Sequence, residues 1–101
     1  MDQSRNGKLT LNQIAKITSQ EYGVNQFVLD KPTRAKTVVE ARHVTFWLCR
    51  KLTDKSTTVI GRHFNRDHTT ILYGFLRIED RLPYNAEMRV RVKRILDKIG
   101  G

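Results

Sequence analysis

The run Arg66-Asp67-His68-Thr69-Thr70 places a carboxylate, an imidazole and two hydroxyls with methyl groups in consecutive positions. A carboxylate accepts from a cytosine amino group, threonine methyls touch thymine methyls, and an imidazole donates or accepts, so these side chains suit the edges of base pairs. Asp67 also has the chemistry of a helix N-cap, which leaves free backbone amides beside it for a phosphate. Two other uses compete. Asp67 could simply cap while its neighbours fill solvent, or His63, Asp67 and His68 could hold a metal in a nuclease. The metal reading has the wrong spacing, because helical histidine ligands usually sit four apart and no further acid completes a set on that face.

The charge pattern favours a polyanionic partner. The 101 residues carry 19 Lys+Arg against 10 Asp+Glu, a formal +9. Seven of those net charges fall between Lys31 and Arg66, where the cations are interleaved with Thr, Asn and His rather than laid along an amphipathic membrane-binding strip. Within that cluster, Arg34 and Lys36 lie in a stretch that Pro32 breaks, expected to be an extended arm before the next helix. Such an arm can enter a minor groove, whose negative potential rewards arginine. Other classes are disfavoured. No run approaches the roughly 18 apolar residues of a spanning helix, and no apolar stretch follows the N-terminal charges as a secretory signal requires. The single cysteine, Cys49, allows no internal disulfide framework and reads as a core residue in a reduced compartment. Gly7-Lys8 lacks the upstream glycine and the following hydroxyl of a phosphate-binding loop, so no nucleotide site is expected.

The elements that must position these residues are all helical. Residues 1–8 are polar and expected to be a disordered tail. Thr10 and Gln13 form a capping-box pattern with Leu9 as a hydrophobic staple, opening a helix that Gly23 ends. Asn25 is expected to cap a short second helix over Gln26–Leu29, with Phe27 and Val28 in the core. From Val38 a long helix to Leu52 is apolar over much of its girth and therefore central. Thr57 to Phe64 follows, with Val59, Ile60 and Phe64 inward and Gly61 at its middle. Next come a turn at 65–67 and a helix from His68 to Arg81 whose inward stripe is Ile71, Leu72, Phe75, Ile78 and Leu82. A last helix over Asn85–Ile99 carries Met88, Val92, Ile95, Leu96 and Ile99 on one face. The expectation is an all-α compact bundle of about six helices, one domain over residues 9–99. Its two short helices around 57–81, joined by a tight turn, make a helix-turn-helix.

With that pattern in place, Arg66-Asp67-His68-Thr69-Thr70-Ile71-Leu72 after Ile60-Gly61-Arg62-His63-Phe64 resembles the signature of the C-terminal DNA-binding domain of the bacterial replication initiator DnaA. The resemblance spans roughly Leu9 to Leu82. Asn65 stands alone before Arg66, a turn one residue shorter than the common Gly-Gly form. The resemblance implies that Asp67, His68 and Thr69 read bases in the major groove, with Thr70 close to DNA and Arg66 leading the run. It further implies Arg34 in the minor groove, Lys36, Arg42, His43 and Arg50 at backbone-contacting positions, and Thr58 at the edge of the major-groove contact. The implied target is a short, asymmetric, A·T-rich double-stranded box bound by a monomeric domain.

The functional expectation is sequence-specific binding of double-stranded DNA at DnaA-box-like sites, regulating or competing in replication initiation or nearby transcription. No enzymatic activity, ATPase included, and no cofactor, metal or membrane partner is expected. Other replication proteins are candidate partners, and the location is cytoplasmic, on the nucleoid. Met1 and the helix after Pro83 point to an independent small protein, with an excised C-terminal domain as the alternative. The competing function is a basic adaptor that binds nucleic acid by charge alone, or binds protein. The last helix, with Arg89, Arg91, Lys93, Arg94 and Lys98, is expected to pack through one face and to keep a solvated basic side.

Overall fold

The computed structural model describes residues 9–100, so the tail expected over residues 1–8 lies outside the described residues. Helix α1 (Leu11–Tyr22) starts as its sequence dictates. The Thr10 hydroxyl accepts from the Gln13 amide at 3.0 Å, and the Gln13 side chain accepts from the Thr10 amide at 2.9 Å. Leu9 packs against the core. Gly23, at φ 67°, ends the helix in the left-handed region that glycine reaches without strain.

The short second helix expected over Gln26–Leu29 is a 3₁₀ helix, Gln26–Asp30, with Asn25 as its cap. With three residues per turn, positions 26 and 29 eclipse. The structure accordingly turns Gln26 to Asn12 of α1, its amide donating at 2.7 Å, and buries Leu29. Phe27, expected in the core, is left 75% exposed.

Helix α2 (Lys36–Leu52) is the hub. Ala41, Val44, Thr45, Phe46, Leu48 and Cys49 are all fully buried on it, and it packs against α1 and against α4. It begins two residues before the expected Val38, so Lys36 is helical rather than part of an extended arm. Trp47 is only partly buried, because its indole N–H reaches out to a carboxylate oxygen of Glu79 at 2.9 Å. Burial pushes the Cys49 thiol up to about 12, which keeps it protonated and inert.

Helices α3 (Thr57–Phe64) and α4 (His68–Arg81) form the helix-turn-helix. Ser56 caps α3, and an eight-residue helix offers one inward stripe, here Ile60, Gly61 and Phe64. Val59, off that stripe, is 38% exposed rather than inward. On α4 the buried stripe is Ile71, Gly74 and Ile78, with Phe75 partly covered, and Leu72, expected inside, lies to its side at 42% exposure.

A 3₁₀ turn at Leu82–Tyr84, holding Pro83, separates α4 from α5 (Ala86–Gly100). Helix α5 lays Met88, Val92 and Ile95 into the core along α1. Its basic side is largely exposed to solvent, as expected, with three of its cations turned to the end of α1. Arg91 stacks on Tyr22, 4.6 Å from the ring centre, and donates to the Glu21 carbonyl, while Arg94 and Lys98 reach the Glu21 carboxylate. The described residues thus hold five α-helices and two 3₁₀ turns in place of about six helices, and no strand.

Candidate nucleic-acid interface

The turn between α3 and α4 is built on three residues. Asn65 adopts φ 59°, ψ 45°, a left-handed conformation that asparagine tolerates better than most side chains. The Arg66 amide then donates to the Gly61 carbonyl at 2.7 Å. Gly61 is required because a Cβ there would collide with the Arg66 carbonyl oxygen, a backbone atom held by the same turn. Phe64 closes the wedge beneath, its ring 5.5 Å from that of Phe46.

This turn delivers Asp67 as the N-cap of α4. Its carboxylate accepts from the Thr69 hydroxyl at 2.9 Å and the Thr69 amide at 3.4 Å, and lies 3.1 Å from His68 Nδ1. The Thr69 hydroxyl, then the Thr69 amide, then the neighbouring imidazole hold the Asp67 carboxyl below its ordinary range, so it is ionised at neutral pH. Asp67, His68 and Thr69 are exposed and Thr70 is half-buried. The tip therefore projects outward with its side chains already organised against one another.

The arm is positioned by two arginines that reach it from different elements. Arg42, only 8% exposed on α2, donates through Nε to the Leu29 carbonyl at 3.0 Å and through Nη2 to those of Lys31 and Thr33 at 2.8 and 3.0 Å. Arg66, from the helix-turn-helix turn, donates to the same Lys31 carbonyl at 2.6 Å and to that of Leu29 at 3.4 Å. Burial first, then the Arg66 charge, pull the Arg42 guanidinium below its ordinary range. This double clamp fixes the arm relative to the Asp67–Thr69 tip, and both guanidinium groups are engaged with backbone carbonyls. Arg34 is exposed in the clamped stretch, and Lys36 is exposed in the first turn of α2.

His43 is half-buried on α2, its ring edge-on to Tyr73 of α4 at 5.8 Å. Burial, then Arg42, Arg77 and Arg81, push its imidazole down to about 4, so it meets a partner as a neutral group. Arg50 rests over Phe75, 5.1 Å from the ring centre, and Thr58 is exposed in the first turn of α3. The structure thus gathers Asp67, His68 and Thr69 at one tip, and Arg34, Lys36 and His43 around one open cleft. Arg42 and Arg66 lie behind the arm, and among the described residues no hydrogen bond joins Thr58 to the others.

Sequence reasoning missed the clamp, because carbonyls carry no residue-type signal. It also missed Gly74, where a Cβ would come within 2.9–3.0 Å of the His43 and Phe46 rings, so that any side chain there would push those rings aside where α2 meets α4. Among the described residues, no group of three or more His, Cys, Asp or Glu gathers as a metal site would require, and no helix is long and apolar enough to cross a membrane.

Comparison with known proteins agrees with this architecture. The family described as the bacterial DnaA protein helix-turn-helix matches residues 11–78. The chromosomal replication initiator protein DnaA of Herpetosiphon aurantiacus is 33% identical over 102 residues, covering 100% of this chain and 22% of that protein. Its counterpart in a Caulobacter species is 40% identical over 73 residues, 71% of this chain and 15% of the relative. That of Mycoplasma capricolum is 30% identical over 97 residues, 95% of this chain and 22% of the relative. The chain spans about a fifth of the length of these curated relatives. The matched region contains the capped tip, the turn and the clamped arm, and the chain belongs to the family of the bacterial DnaA helix-turn-helix domain.

Proposed function

We propose that the chain binds double-stranded DNA sequence-specifically at short, asymmetric, A·T-rich boxes of the DnaA type. In this reading it acts as a monomer on the nucleoid, in the cytoplasm. The observation that carries the proposal is the outward-facing, self-organised tip Asp67-His68-Thr69 at the start of α4, in a helix-turn-helix of this family. The tip enters the major groove, where Asp67, His68 and Thr69 meet base edges and Thr70 lies against the DNA. Arg34 enters the adjacent minor groove, where narrow A·T-rich sequence concentrates negative potential. Lys36 and Arg50 contact phosphates, His43 faces the backbone as a neutral group, and Thr58 lines the edge of the major-groove contact.

Arg42 and Arg66 act mainly through the arm. Each holds loop carbonyls that set where Arg34 points, so they position the minor-groove contact rather than serve only as phosphate charges. Because the tip residues already bond to one another, little side-chain freedom is lost on binding, which leaves more of the contact energy for discrimination. The biological consequence is regulation of, or competition in, replication initiation or nearby transcription, without ATP hydrolysis by this chain, and with other replication proteins as further partners.

Competition binding tests the proposal. A box duplex is expected to compete at least ~10³-fold better than a scrambled duplex of equal length and composition. Equal competition by the two would leave only a charge-driven adaptor and overturn sequence-specific binding.

A further inference from the structure

Between the arm and the second half of α4 lies an open cleft of about 300 Å³, bordered by Arg34, Lys36, Glu40, His43, Arg77 and Arg81. Four of these side chains are cations, contributed by the arm, the first turn of α2 and two positions four apart on α4. Among the described residues, none of the four makes an ion pair. The one acid on the border, Glu40, already accepts a hydrogen bond from the Tyr22 hydroxyl at 2.6 Å. His43 forms part of the wall as a neutral ring, and Arg77 is steadied by the Tyr73 ring, 5.9 Å away. Unpaired cations gathered around a concavity repel one another, and an anion would relieve that repulsion.

The place of the cleft identifies the anion. A protein with one element in a minor groove and a helix in the adjacent major groove straddles the phosphate strand that separates them. Here that strand would run between Arg34 and α4, which is where the cleft opens. We infer that the cleft seats the phosphodiester strand between the two grooves, with Arg77 and Arg81 as phosphate contacts that extend the footprint along α4. The inference rests on the proposed docking on DNA and adds two residues outside the reading tip and the arm.

The test is the salt dependence of binding by wild type and the double variant R77Q/R81Q, on both the box and a scrambled duplex. Each phosphate contact contributes about 0.9 to the logarithmic salt slope. Loss of two contacts should make the slope shallower by about two, so a fourfold rise in salt shrinks the wild-type advantage by about tenfold. The change should be the same on both duplexes, because phosphates carry no sequence. R77K/R81K keeps both charges and should keep the wild-type slope. K16Q/K93Q, with equal charge loss on α1 and α5, should change the slope by much less.

A second arm of the test replaces phosphates of the strand between the grooves with neutral methylphosphonates. This should weaken wild type clearly more than R77Q/R81Q, which keeps only Arg34 and Lys36 beside that strand. A folded R77Q/R81Q with the wild-type slope, or a K16Q/K93Q slope shifted equally, overturns the inference. The preference of wild type for box over scrambled DNA reports separately on the proposed function. The slope difference on scrambled duplex decides the cleft even if that preference is absent.

Discussion

Replacing Arg42 by lysine separates a positioning role from a phosphate contact, because charge is kept while the fork is lost. The guanidinium serves three carbonyls from two nitrogens set apart on a rigid plane. A lysine ammonium is a single point and cannot span them. Arg66 still covers the Lys31 carbonyl at 2.6 Å and reaches that of Leu29 only at 3.4 Å, so the net loss is the bond to Thr33 and most of that to Leu29. Between one and two charge-assisted bonds, at about 1.5–3 kcal/mol each, amount to about 2–4 kcal/mol. For a domain of this size each kcal/mol moves the melting temperature by about 4–8 °C, so R42K should melt on the order of 10–25 °C below wild type by circular dichroism. Below its melting temperature, the variant should keep the wild-type salt slope on random duplex, because its charge is unchanged. It should lose part of the preference for A·T-rich sequence beneath the arm, because freeing Thr33 frees Arg34. An R42K protein that melts with wild type and retains that preference would refute the clamp.

Five other outcomes follow from the same geometry. Gly61→Ala forces a Cβ against the Arg66 carbonyl, and overpacking against backbone should cost about 1–3 kcal/mol, read as a lower Tm; a Tm at or above wild type would contradict the turn geometry. Thr69→Ala should cost about 1–3 kcal/mol on the box and relax base preference while scarcely changing random-duplex binding. Arg50→Ala should weaken all duplexes alike and flatten the salt slope by about one unit, so identical behaviour of the two variants would contradict the division of roles. Arg34→Ala should lose most affinity where the adjacent minor groove is narrow and A·T-rich, measured by exchanging that flank for G·C. His43 gives a pH signature: its folded value of about 4 lies below the ordinary 6.5, so as pH falls the unfolded chain takes the proton first. Stability should therefore decline as pH drops from about 6.5 to 4, with no contribution from this group above that window, and His43→Gln should remove that part of the decline in Tm.

Local chemistry was legible in the sequence wherever the signal lay within one helical turn. The Thr10–Gln13 box, the Gly23 stop and the Asp67 cap each satisfy backbone groups a few positions away, and each is present as expected. The centrality of α2 was legible because its apolar residues wrap most of its girth. Departures arose where a different period or a distant partner decided the outcome. A five-residue 3₁₀ segment turns on a period of three, which exposes Phe27 and buries Leu29. Leu72 and Val59 sit at the margin of stripes too narrow to cover them. Arg42, Arg66 and Gly74 owe their roles to atoms on other elements, carbonyls for the arginines and rings for the glycine, and no spacing along the chain encodes those.

Selection of bound sequences from a pool of random duplexes tests base reading by the α4 tip most directly. Wild type should enrich a short, asymmetric, A·T-rich consensus, and Thr69→Ala or His68→Ala should blur it at one or two adjoining positions while the remaining positions persist. A pool that stays random after repeated rounds with folded wild-type protein would contradict the account.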